Sequence, residues 1–131
     1  MLVRDLVEDG KRILEQLPQH GFEVTAGMWL KQGEEGLWRF YVVSPAADGE
    51  HAKEGRIRFS TLIEQMPNLV WIDPNDVRVI GLSNPIARDV LALYNRDPGP
   101  KDKPIRWNWP KLGNDRVEEV YLYPLPTAAS S

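Results

Sequence analysis

The chain contains no cysteine and only two histidines, His20 and His51. The first absence excludes a disulfide scaffold, a thiolate metal site and a cysteine nucleophile together. The second leaves too few imidazoles for a histidine-rich metal centre, and no His-x-x-x-His or His-Glu-x-x-His spacing occurs. Long hydrophobic runs are missing too, since nothing approaches the roughly 20 apolar residues that cross a bilayer. The opening MLVRDLVEDGKRILEQL carries acids where a secretory signal has its apolar core. These absences predict a cytoplasmic protein with no membrane partner. An excess of one charge is also absent: 16 Lys and Arg stand against 19 Asp and Glu, a net −3. Dividing the chain after Val70 leaves 8 basic and 11 acidic residues before the cut, then 8 and 8 after it. Neither half offers the phosphate-neutralising surface that duplex nucleic acid requires, so that partner is not expected. Arg96, Lys101, Lys103 and Arg106 surround one loop, but Asp97 and Asp102 dilute their field.

A 131-residue chain that is 42% hydrophobic fits one domain with a real core. Leu2, Val3, Leu6, Val7, Ile13, Leu14 and Leu17 follow helical spacing, interrupted by Gly10, and Pro18 is expected to end that helix. From Phe22 the period becomes two. Phe22, Val24, Ala26, Met28 and Leu30 alternate with Glu23, Thr25, Gly27, Trp29 and Lys31, which predicts a half-buried strand. QGEEG turns the chain into a second strand over 37–43, forming an antiparallel hairpin. A helix is expected over 50–65, a capped turn at Asp73–Pro74, a strand over 76–82 and a helix over 85–94. The loop 96–104, with three prolines, leads to a second hairpin built from Ile105, Trp107 and Trp109 and from 117–123. The predicted fold is one α/β (α+β) domain over 1–125 with a disordered tail over 126–131. Its order is α-β-β-α-β-α-β-β, giving a mixed, mainly antiparallel five-stranded sheet packed with helices.

Catalytic equipment is thin. A serine or threonine nucleophile needs a base, but His20 falls in the loop after the first helix and His51 near the start of the second, and no serine lies in a Gly-x-Ser-x-Gly elbow. Asp73 and Asp76 could present two carboxylates to a divalent cation but lack the spacing of a calcium loop, and Asp73 reads as a helical cap. Glu34/Glu35 and Glu118/Glu119 fall at a turn or on alternate strand faces, so no converging carboxylate pair can be argued. Gly81–Pro85 joins a strand to a helix start and is a weak anion candidate, without Walker or dinucleotide spacing. No metal or cofactor is therefore expected, and the chain reads as a non-enzyme.

The aromatics carry more. Five tryptophans include Trp29, which shares its strand face with Glu23, Thr25 and Lys31. With the sheet covered on one side only, Trp29, Arg39 and Tyr41 form an exposed aromatic and cationic patch, the residue types that dominate interface hot spots; with the three helices spread over both faces, the tryptophans are core instead. Arg106 and Trp107 rank second, on different faces of their strand. The patch predicts an interaction module, an adaptor, accessory subunit or immunity-type inhibitor, that docks a protein partner or a second copy of itself. The alternative is a small-ligand or single-stranded nucleic-acid binder that uses the same aromatics for stacking. A carboxylate-dependent enzyme ranks third.

The stretches GFEVTAGMWLK, WRFYVVSP, NPIARDVLALY and EEVYLYPL resemble short bacterial proteins of no assigned activity. Those proteins begin with a helix, continue into a GF-x-V-x-A-x-x-W strand and end in an E-x-x-Y-x-Y strand. The resemblance covers most of residues 1–125 and implies a bacterial cytosolic protein. It carries over no activity, cofactor or site residue.

Overall fold

The computed structural model describes residues 2–32, 36–67, 69–113 and 115–126, with the backbone alone for Asp115 and Arg116. Three helices, α1 (Arg4–Gln19), α2 (Ala52–Gln65) and α3 (Pro85–Arg96), alternate with strands β1 (Ala26–Gln32), β2 (Leu37–Val43), β3 (Val77–Ile80), β4 (Ile105–Asn108) and β6 (Asp115–Leu122). A two-residue strand, β5 (Lys111–Leu112), pairs with the start of β6. Apart from β5, this is the element order expected from the sequence. Most of the expected QGEEG turn and the tail beyond Pro126 lie outside the described residues.

The main sheet runs β3-β2-β1-β6-β4. Only β2 and β3 are parallel, because the chain returns through α2; the remaining pairs are antiparallel. The register sorts side chains onto two faces. Trp29, Phe40 and Val42 face α1 and α2, where they join Ile13, Leu17, Phe59, Ile63 and Val77 in one core. Met28, Leu30 and Val43 face α3, packing with Ile86, Ala87, Val90, Val120 and Leu122 in a second core. Helices on both faces make β1 central and buried on both sides, not half-buried as its alternation predicts. Ala26 to Leu30 are all buried.

α1 runs past the expected stop. Pro18 sits inside its last turn, and termination comes three residues later at Gly21, whose φ is 75°. The Gly21 amide donates to the Pro18 carbonyl at 3.0 Å and the Phe22 amide to Leu17 at 2.9 Å. This is a glycine-dependent cap closed by the apolar pair Leu17–Phe22. Pro18 forgoes its amide bond and crowds the Leu14 carbonyl without ending the helix, so the break belongs to the left-handed residue. β3 is shorter than expected at both ends: Asp73 caps a turn at Pro74–Asp76 before it, and Gly81–Ser83 turns after it.

Candidate interaction surface

Trp29 does not belong to a surface patch. It is 1% exposed, tilted against Phe40 with ring centroids 5.1 Å apart. Its indole N–H donates to the Tyr123 hydroxyl at 2.9 Å. That hydroxyl in turn donates to the Val7 carbonyl of α1 at 2.7 Å, so one phenol joins the first helix, the central strand and the end of β6. Burial first, despite the Trp29 hydrogen bond, pushes the Tyr123 phenol pKa well above its ordinary value of 10.0. The neutral phenol is thus favoured by folding. Its contribution is complete below about pH 10 and is lost as pH rises above that value, where the unfolded chain releases the proton first. Tyr123→Phe is expected to cost about 1–3 kcal/mol at neutral pH, by leaving the buried Trp29 N–H without an acceptor and removing the tie to the Val7 carbonyl. It should also flatten the alkaline decline, which urea melts at neutral pH and above pH 10 will read.

Arg39 and Tyr41 stay together but on the opposite face from Trp29. They pair with Leu30 and Met28 on the α3 side of the sheet, and Leu37, exposed, continues the same row. Arg78 of β3 lies level with Tyr41. The Tyr41 hydroxyl donates to Gln32 Oε1 at 2.7 Å, which holds the ring against the sheet. Arg106 and Trp107 separate as expected. The Arg106 guanidinium lies 4.9 Å from the Tyr121 ring centroid on the α1 face. Trp107 packs on the α3 core, its N–H reaching Asp97 Oδ2 at 3.2 Å.

The remaining chemical candidates resolve into structural roles. The Gly81–Pro85 turn already holds an anion, the chain's own Asp48 carboxylate. Leu82 and Ser83 amides donate to it at 2.7 and 3.2 Å, and the Ser83 hydroxyl at 2.5 Å. The Ser83 hydroxyl above all, opposed by partial burial and helped by the two amides, lowers the Asp48 pKa. Asp73 accepts from the Asn75 amide at 2.9 Å as a cap. His51 pairs with Glu54 in solvent at 2.8 Å. Among the described residues no three His, Asp or Glu side chains are grouped to hold a metal ion. No described helix is long and apolar enough to cross a membrane.

Four features escaped the sequence. Asp9 is fully buried on α1, and its Oδ2 accepts the amides of Val70, Trp71 and Ile72 at 3.1, 2.7 and 2.9 Å. The loop it grips leaves Trp71 62% exposed beside an exposed Val70. Trp109, 68% exposed, holds a left-handed backbone with φ 56° between β4 and β5. A groove of about 410 Å³ runs between α2 and β3. Another, of about 490 Å³, lies between α1 and β6, walled by Tyr121, Tyr123 and Pro104.

No family model matches the chain, and no curated protein or solved structure matches it significantly.

Proposed function

We propose that the chain is a non-enzymatic protein-interaction module of the cytoplasm, an adaptor, accessory subunit or inhibitor that docks a protein partner through the β2–β3 side of its sheet. The observation that carries this reading is the row Leu37, Arg39 and Tyr41 on one face of β2, with Arg78 beside it on β3. All four are at least partly exposed. Arginine and tyrosine supply large contact areas with directional hydrogen bonds, and the two guanidiniums make this patch locally cationic on a chain of net charge −3, so it is the part of the surface suited to an acidic patch of a partner. Arg39→Glu with Tyr41→Ala should weaken partner capture or self-association at least tenfold while the circular dichroism spectrum stays native. Arg106→Glu, on the opposite face, should leave it unchanged. Equal capture by both variants would overturn the reading.

A small-ligand binder is the second reading, favoured by the α1/β6 groove. Its size falls within the usual range for ligand pockets, and its walls are mainly apolar with two phenols. Trp29 fluorescence, coupled to that groove through Tyr123, should respond to a bound ligand; a flat titration across nucleotides and aromatic acids would remove it.

A further inference from the structure

β3 is the outermost strand on its side of the sheet. Along a strand, successive residues aim their N–H and C=O groups to opposite edges. The Ser44 amide donates to the Ile80 carbonyl at 2.9 Å, so Ile80, and with it Arg78, faces β2. Val77 and Val79 therefore aim their peptide groups at the free edge. The Val77 carbonyl is taken by the guanidinium of Arg78 at 3.3 Å, which also bonds the Asn75 carbonyl. No described residue hydrogen-bonds the amide or carbonyl of Val79 at that edge. An unpaired edge of this kind is a template for another strand.

The edge also borders a groove. Its inner wall is the α2 pair Phe59 and Ile63, and Val77 and Val79 of β3 close the other side. Arg56 and Arg78 line it as well, against one carboxylate, Glu64. A helix beside an open strand edge offers backbone pairing for affinity and a cleft for every second side chain, which is how extended peptides are recognised by strand addition. Continuing outward over α2, Lys53 joins Arg56 beside Ile57, itself 58% exposed. Charge and apolar surface thus call for the same occupant.

We propose that β3 accepts an extended acidic segment of a protein partner as an added strand. The segment pairs with the Val79 peptide groups, sets alternate apolar side chains against Phe59 and Ile63, and brings carboxylates to Arg56 and Arg78. This rests on the interaction-module reading and names its binding mode.

The probe is an end-blocked eight-residue peptide alternating glutamate with valine or isoleucine, followed by amide resonances and hydrogen exchange of the full chain. Binding should shift Phe59, Ile63 and Val77 and slow exchange at Val79. Methylating alternate peptide nitrogens, or Val79→Pro, should weaken it at least tenfold. Proline is tolerated where an edge amide faces solvent, and the methylated probe tests the same bond if that variant fails to fold. A lysine counterpart should bind at least tenfold more weakly. No binding at millimolar probe, or equal binding by the methylated probe, overturns strand addition. If Arg39→Glu with Tyr41→Ala still abolishes partner capture, the module reading survives that failure; if neither experiment responds, both fall.

Discussion

Asp9→Ala is expected to destabilise the fold by about 3–5 kcal/mol, the range for removing one partner of a buried, hydrogen-bonded charge. Three amides, those of Val70, Trp71 and Ile72, converge on one carboxylate oxygen, and Arg12 meets the other at 2.8 Å. Arg12 is 44% exposed and rehydrates when the carboxylate goes. The carboxylate is fully buried, and of the amides it leaves behind the buried one, that of Ile72, costs about 1–3 kcal/mol without an acceptor, the partly buried Val70 and Trp71 amides less. Collapse of the loop recovers part of that sum, which keeps the total below the arithmetic maximum. Asp9→Asn should cost less, because one oxygen remains to receive the loop. Urea melts measure both. Hydrogen exchange adds the local readout: amides 70–72 should lose protection before α1 does. The consequence reaches β3, since this loop and the capped turn at Pro74–Asp76 set where the edge strand begins. A cost within about 0.5 kcal/mol for Asp9→Ala, the ordinary surface value, would mean that the loop holds itself.

Element types were legible because periodicity survives burial. β2 alternates in sequence and in space, and α3 opens at Asn84–Pro85, whose side-chain oxygen does cap the Ile86 amide at 2.9 Å. What sequence could not supply was pairing. A strand's two faces are equivalent until its neighbours are known, so Trp29 beside Glu23, Thr25 and Lys31 reads equally as an outward residue or as core under a second helical layer. The structure makes β1 central, and the indole N–H finds its partner 94 residues away. Asp9 left one readable trace. In the stripe Leu6, Ile13, Leu17 the intervening slot is filled by Asp9 and Gly10, a carboxylate and a glycine where an apolar side chain belongs. The acceptor role itself was invisible, because its donors lie more than 60 residues away. The candidate site divides in the same way. Arg39 and Tyr41 were readable as a strand row, whereas Arg78 beside them and the open edge of β3 follow from a parallel pairing that no local pattern encodes. Trp109, before a proline, would be placed in extended geometry by local rules and instead is left-handed.

Gly10→Ala separates the local argument from the tertiary one, because the two give opposite signs. On helix propensity alone the substitution stabilises α1 by about 1 kcal/mol. In the fold, a carbon built at that position lies 2.4 Å from the Tyr123 hydroxyl, 3.0 Å from Phe40 Cε1 and 3.1 Å from Trp29 Nε1. The hydroxyl is the atom that bridges Trp29 to Val7, so it cannot step aside without breaking both bonds and leaving the buried Trp29 N–H unpaired. Overpacking plus a broken buried bridge should outweigh propensity, for a net loss of about 2–4 kcal/mol. The partner that must move is known, which makes the effect testable as a cycle. In a Tyr123→Phe background the contact at 2.4 Å is gone, and Gly10→Ala should cost far less than in the native chain. Additive effects, or a stabilising Gly10→Ala, would mean that α1 does not sit against the sheet at this distance. Trp29 would then lie under a loosely seated helix, and its exclusion from the docking surface would lose its main support.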